Sequence, residues 1–245
     1  MSTVFFCGDP HGRFSHIVRA VKKHRPEAVI LLGDQTAAQS LDIELAPILD
    51  QTQVYWTCGN HDTYNERHHD NLFESKLKGR NIQEQGVIRV GGILIACIGG
   101  VFREKVWAGS LPKTGEGVAH PITSPKDFAK TCGAGNRWRG GVPLRYRSTI
   151  FPSMVEKYRD MHVDVLVTHE TPDLHRHGNA GLMRLANDLG VRGAFRGHHH
   201  QRIDYPDSVW QGVSLCGIVG LDTATFEVTD IDPGLVSKKQ YVEIF

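Results

Sequence analysis

Five short apolar runs in this chain each end directly in a side chain of metal-ligating type. They are Phe5-Phe6-Cys7-Gly8 before Asp9, Ile30-Leu31-Leu32-Gly33 before Asp34, Tyr55-Trp56-Thr57-Cys58-Gly59 before Asn60, Val165-Leu166-Val167-Thr168 before His169, and Ala194-Phe195-Arg196-Gly197 before His198. Runs of this kind read as buried strands, and an α/β sheet gathers its ligands at the carboxyl ends of its strands. The five ends should therefore converge. Asp9 and His11 are two residues apart, as are His198 and His200, and residues at i and i+2 of an extended chain face one side. Each pair can address one metal cluster, with Pro10 and His199 directed elsewhere. A glycine ahead of four of the five lets the backbone turn sharply and come close to an ion or phosphate without a Cβ clash.

The set comprises Asp9, Asp34 and Asn60 with four imidazoles, His11, His169, His198 and His200. Seven ligands suit two ions if each takes four and one carboxylate is shared, which leaves positions open for water and substrate. Nitrogen and oxygen donors without sulfur favour divalent Mn, Fe, Zn, Ni or Co over Cu(I) or an iron–sulfur cluster, and Mn²⁺ is placed first.

Positioning these side chains requires a sheet. Val4 to Cys7, Ser15 to His24 and Ala28 to Leu32 read as strand, helix, strand, and a helix over Gln39 to Asp50 followed by a strand over Val54 to Cys58 extends a parallel sheet. Gly91-Gly92 between two apolar runs predicts an antiparallel hairpin of Gly86 to Val90 with Ile93 to Ile98. Residues from about 101 to 150 form a loop-rich insertion, placed near the active site, and loops of that length usually have a job. Helices around Ser153 to Met161 and Gly181 to Leu189, and strands at Val163 to Val167 and before Gly197, restore regularity. Strands at Ser208 to Cys216 and Thr225 to Val228 should close the fold, with the residues through Phe245 as a further edge strand.

The chain has 245 residues, 40% of them hydrophobic and 22% charged, which excludes a disordered or fibrous protein, and no apolar run is long enough to span a membrane. No linker or repeat divides it, so a single domain over 1–245 is expected. Lysine and arginine total 28 against 27 acids, a net charge of +1, so extended nucleic-acid binding is not expected. Five scattered cysteines without a CxxC pair fit neither a disulfide framework nor a zinc knuckle. The opening residues lack a signal-peptide pattern, so a cytoplasmic location is expected. Oligomeric state is not legible.

In order along the chain, Asp9-Pro10-His11-Gly12, Gly33-Asp34, Gly59-Asn60-His61-Asp62, Thr168-His169-Glu170 and Gly197-His198-His199-His200 resemble the five dispersed motifs of the calcineurin-like metallophosphoesterase superfamily. The resemblance covers residues 8 to 200. It implies a four-layer α/β/β/α sandwich with mixed central sheets and a dinuclear metal site at the strand ends. It also implies that Asp9, His11, Asp34 and His200 hold one ion and Asp34, Asn60, His169 and His198 the other. In this scheme a metal-bridging hydroxide attacks phosphorus, His61 protonates the leaving group, and Asp62 orients His61. Histidine suits that role because imidazole titrates near neutral pH. The implied activity is phosphoester hydrolysis, with a phosphomonoesterase preferred, a phosphodiesterase or nuclease acting on nucleotides or strand ends as the alternative, and a non-catalytic scaffold of the same fold as a remote one. The Ser/Thr protein phosphatase branch is disfavoured, because Gln35-Thr36-Ala37-Ala38 follows Gly33-Asp34 where that branch carries an arginine, and because the third motif is GNHD.

Outside the motifs, Arg137, Arg139, Arg145 and Arg147, interleaved with Trp138 and Tyr146, are candidates to bind a phosphorylated substrate, with a nucleotide among the options. Arg103 and Lys105 are weaker candidates for the same role. His68 and His69 are expected on a solvated helix face, His175 and His177 near the metal rim at best, His199 and Glu170 in supporting or solvated positions, and His16 and His24 as structural or exposed residues.

Overall fold

Strand residues alternate between two apolar environments, and that alternation stacks the layers. A computed structural model describes residues 2–107 and 122–235 of the chain. In β1 (Thr3–Cys7), Val4 and Phe6 enter a core between two sheets, while Phe5 and Cys7 enter one beneath helices. Strand β2 (Ala28–Leu31) divides Ile30 and Val29 in the same way. Strands covered on both faces read as continuous apolar runs, which is how they appear in the sequence.

The first sheet also contains β3 (Gln53–Trp56), β10 (Ile218–Asp222) and β11 (Val228–Asp232), in the order β11-β10-β1-β2-β3, with β1, β2 and β3 parallel and β10 antiparallel to β1. The second contains β4 (Val87–Val90), β5 (Ile93–Ile98), β6 (Val165–Thr168), β7 (Gly193–Arg196), β8 (Ile203–Asp204) and β9 (Trp210–Gly212), in the order β4-β5-β6-β7-β9-β8. There β5, β6, β7 and β9 are parallel, and β4 forms the expected hairpin with β5. Facing sheets meet where the rings of Phe6 and Phe195 stack 3.8 Å apart, a contact worth ~1 kcal/mol beyond its buried area. Helices α1 (Ser15–His24), α2 (Leu41–Glu44) and α3 (Glu66–Phe73) cover the first sheet. Helices α5 (Pro125–Thr131), α6 (Pro152–Glu156) and α7 (Ala180–Leu189) cover the second, and the short α4 (Ile82–Gln85) precedes β4. The architecture is α/β/β/α with two mixed sheets.

Several expected elements differ. The helix over Gln39 to Asp50 breaks into α2 and a 3₁₀ turn, Ala46–Ile48, because Pro47 cannot supply a helical N–H. The helix around Ser153 to Met161 is confined to α6. Only Trp210–Gly212 of the Ser208 to Cys216 run is strand. Thr225 is not strand: the carboxylate of Asp222 accepts from the N–H groups of Ala224 and Thr225 and makes a turn there, so β11 starts at Val228. Strand β10 was disguised by Gly220, whose missing side chain leaves room for Phe5 and Ile231. Helix α5 lies in the loop-rich insertion, opened by Ser124, whose side chain accepts from the N–H of Asp127, with Pro125 at the first turn. The edge strand through Phe245 and residues 108–121 of the insertion lie outside the described residues. Cys7, Cys58, Cys97 and Cys216 are buried, and all five cysteines are free thiols. Among the described residues no helix is long and apolar enough to cross a membrane.

Candidate metal centre

The parallel strands β1, β2 and β3 of one sheet and β6 and β7 of the other bring the motif residues to one edge. Asp9 and His11 follow β1, Asp34 follows β2, Asn60 and His61 follow β3, His169 follows β6, and His198 and His200 follow β7. The i and i+2 pairs do not meet through extended backbone, as their spacing alone implied. Asp9, His11, Asp34, His198 and His200 all have positive φ, at 25°, 44°, 50°, 69° and 58°. Left-handed backbone costs a non-glycine residue ~1–2 kcal/mol, and a local bonding network offsets it: the N–H of His11 donates to the Asp34 carbonyl at 3.0 Å and that of Gly12 to the Gln35 carbonyl at 2.8 Å.

The side chains fall into two groups that share Asp34. Ligand atoms of His11, Asp34 and His200 lie within 4.8 Å of one another, as do those of Asp34, His169 and His198. Asp9 reaches the first group through its Oδ2, 3.2 Å from His200 Nε2. Asn60 reaches the second through its Oδ1, 3.2 Å from His169 Nε2. His169 Nδ1 lies 2.8 Å from the Leu32 carbonyl, to which it donates, leaving Nε2 to point at Asp34 Oδ2 from 3.5 Å.

Electrostatics here are those of buried acids set among imidazoles. Asp9 is fully buried and Asp34 nearly so, and Asp9 Oδ1, Asp9 Oδ2 and Asp34 Oδ2 lack hydrogen-bond partners of normal geometry. Burial lifts Asp9 to about 7 against the pull of His169. For Asp34 burial works the same way, but His169 and the N–H of His61 outweigh it and hold the carboxyl below its ordinary range. Burial drives His198 to about 2 and His11 to about 4, whereas at His169 burial is outweighed by Asp34 and Asp9, which raise it to about 10. Buried carboxylate oxygens without hydrogen-bond partners, set among imidazole nitrogens, fit divalent cations, because a buried charge is costly to keep without compensation.

Glycines ahead of these residues make room for the ligand-type side chains of neighbouring strands. A Cβ on Gly33 would lie 2.3 Å from His169 Nδ1, one on Gly59 2.2 Å from Asp34 Oδ1, and one on Gly197 2.4 Å from Asp9 Oδ1. Gly197→Ala is therefore expected to displace Asp9 and weaken metal affinity about tenfold or more, with the fold retained. Metal titration followed by calorimetry checks this, and unchanged affinity would rule the packing role out.

His61 is partly open to solvent, with its side chain 44% exposed and its Nε2 3.9 Å from Asp34 Oδ2. Its backbone N–H donates to Asp34 Oδ1 at 2.8 Å, and its ring packs on Tyr64 at 4.6 Å. Asp62, expected to orient that ring, makes no hydrogen bond to it among the described residues. Its carboxylate points inward, fully buried, and accepts from the N–H groups of Gly59 and Thr36, both at 2.8 Å, so it fastens the loop instead.

A model of the calcineurin-like phosphoesterase family matches residues 2–202. The chain belongs to the calcineurin-like phosphoesterase family. A relative from Haemophilus influenzae, described only as an uncharacterized protein, is 34% identical over 203 residues, covering 82% of this chain and 85% of its own. Among solved structures, the protein TT1561 of Thermus thermophilus superposes with a TM-score of 0.58 at 14% identity, covering 95% of this chain and 99% of that one, which shows the shared fold. As a calcineurin-like phosphoesterase the chain is a metal-dependent phosphoester hydrolase, and its His/Asp groups are able to bind divalent metal.

Of the arginines expected around this phosphoesterase centre, the structure disperses most. Arg139 is taken up by a two-pronged ion pair with Asp70, at 2.7 and 2.8 Å. Arg137 donates to the Cys132 carbonyl. Arg147 packs over Trp138 and lines a separate cavity of about 460 Å³ with Phe73, Val142 and Phe151. Arg145 alone of the four is set against Tyr64, the residue that touches His61. His69 is buried against Phe73 and Trp138 rather than solvated, and His16 is buried as well. His175 stacks on His199 at 4.1 Å, and Glu170 lies 3.9 Å from His198. The contact of Tyr64 with His61 follows from its place three residues later in a helical turn, a spacing that sets the two side chains on one face.

Proposed function

We propose that this protein is a dinuclear metal-dependent phosphomonoesterase. The observation that supports it best is Asp34, shared by two His/carboxylate groups and presenting a buried, unpartnered oxygen to both. In this reading Asp9, His11, Asp34 and His200 hold one cation and Asp34, Asn60, His169 and His198 the other, with Mn²⁺ the leading metal. When bound, such a pair polarises the phosphoryl oxygens and acidifies a water for in-line attack. His61 supplies the proton, from Nε2, to the departing oxygen, held at the mouth by its N–H bond to Asp34 and by the ring of Tyr64. His169 is kept in one tautomer by the Leu32 carbonyl, and Asp62 keeps the loop that carries Asn60 and His61 in place. A non-catalytic scaffold would have lost some of these residues, and all eight are present. The whole chain acts in this scheme as a single domain, since one core joins the two sheets.

Chelator-stripped protein is expected to hydrolyse a chromogenic phosphomonoester only after Mn²⁺ is restored, and a chromogenic phosphodiester more slowly. Faster cleavage of the diester would replace this reading with a phosphodiesterase or nuclease. Silence on both, in protein shown to carry metal, would overturn it.

A further inference from the structure

Around Tyr64, whose ring packs on His61, two cationic side chains form no ion pair among the described residues. Arg103 donates through Nη2 to the carbonyl of Arg145 at 3.0 Å, and its Nε is buried with no hydrogen-bond partner. Its guanidinium carbon lies 5.6 Å from the Tyr146 ring, and that of Arg145 lies 5.6 Å from the Tyr64 ring. Among the described residues neither arginine forms an ion pair, whereas Arg139, Arg159 and Arg202 all do. Glu170 is near Arg103, but its two oxygens accept from the N–H groups of Phe102 and Thr171. Burial and then the adjacent Arg145 hold Arg103 below its ordinary pKa, as two unneutralised neighbours should.

Their place is fixed from the catalytic side. Tyr64 packs on His61, and its hydroxyl accepts from Asn60 Nδ2 at 3.0 Å. The turn Leu144–Ser148 that carries Arg145 is tied to the same loop by a 2.7 Å bond between Ser148 and Thr63. A group that donates to the leaving oxygen faces the leaving group, so what lies next to it on the rim addresses that group rather than the transferred phosphoryl.

We propose that Arg103, Arg145 and Tyr64 form an anion subsite for the leaving group, so that the preferred substrate is a bisphosphorylated small molecule whose departing alcohol carries its own phosphate. The proposal rests on the phosphoesterase reading and adds the substrate class. Two guanidinium groups held without a counter-charge match a second phosphate, and the Tyr64 face gives the alcohol's body a surface to lie on.

Mn²⁺-loaded protein would be assayed for phosphate release from 4-nitrophenyl phosphate, adenosine 3′-monophosphate and adenosine 3′,5′-bisphosphate. The expected kcat/KM is roughly ten- to hundredfold higher for the bisphosphate than for the monophosphate. Arg145→Gln is expected to bring that ratio towards one, mainly through a higher KM for the bisphosphate. Arg145 is exposed and its bond to Arg103 uses only the backbone carbonyl, so this variant should fold, and Arg103→Gln provides the second test. Equal kcat/KM for the two adenosine substrates, or an equal loss on both in Arg145→Gln, would overturn the subsite while leaving the phosphoesterase standing. Absence of metal-dependent hydrolysis of 4-nitrophenyl phosphate and both nucleotides would remove both.

Discussion

Asp34→Asn is expected to lower turnover by at least ~10³-fold and to release bound metal. Its carboxylate belongs to both side-chain groups, and its Oδ2 is the atom His11, His61 and His169 all approach within 3.9 Å. A cation pair contributes several kcal/mol to a phosphoryl transition state, and each ~1.36 kcal/mol is a factor of ten. Metal analysis of the purified variant should give one ion or none per chain, and a variant that keeps two ions and its activity would end the idea of a shared ligand. Stability should move in an informative way. Saturating metal stabilises a native site by ~2.7 kcal/mol at about one hundred times its Kd, so the wild-type melting temperature should rise on adding Mn²⁺ while that of Asp34→Asn barely moves. Under chelation the gap should narrow without inverting, because the metal's contribution is gone while His169 and the N–H of His61, which outweigh burial and hold Asp34 below its ordinary range, still favour the charged side chain over the amide.

His61→Ala is expected to cut turnover by ~10²–10⁴-fold, the usual contribution of a general acid, with metal content and melting temperature nearly unchanged. The side chain is partly exposed and lies at the mouth of the site, whereas its link to Asp34 Oδ1 uses the backbone and survives truncation. The loss should shrink on substrates with good leaving groups, which need little protonation. Equal activity of wild type and variant on an alkyl phosphate would exclude the acid role. Asp62 provides the contrast: its buried carboxylate serves two backbone N–H groups, so truncating it should lower stability as well as activity.

Much of the site was legible because its chemistry is carried by residue types that rarely end a strand by accident. A glycine followed by Asp, Asn or His after an apolar run marks the sheet edge, and residues so marked lie together in the fold. What the sequence could not show was the backbone that presents it. The i and i+2 spacing of Asp9 and His11 fits an extended chain as well as it fits the left-handed turn that is present, and only tertiary bonds such as His11 N–H to the Asp34 carbonyl decide between them. Asp62 is a similar case, since adjacency to His61 does not fix which way its carboxylate points, and the N–H groups of Gly59 and Thr36 do. Strand β10 was hidden because its glycine is shaped by Phe5 and Ile231, contacts made far away in sequence. The arginines were visible as a basic, aromatic stretch, but which of them stay unpaired depends on where Asp70 happens to lie.

The strand ends that supply the cluster belong to both sheets: Asp9, His11, Asp34 and Asn60 to the first, His169, His198 and His200 to the second. Neither three-residue group can be assembled from one sheet, and the positions joined are up to 189 residues apart, as in His11 and His200. Contacts of such long range form late in folding, because their loop entropy is recovered only once the intervening chain is ordered. A nascent chain emerging from the ribosome thus presents neither complete group, and a fragment truncated before β6 would keep only Asp9, His11, Asp34 and Asn60 of the seven. Metal capture becomes a report that both sheets have docked, which makes ion uptake a built-in check on completed assembly.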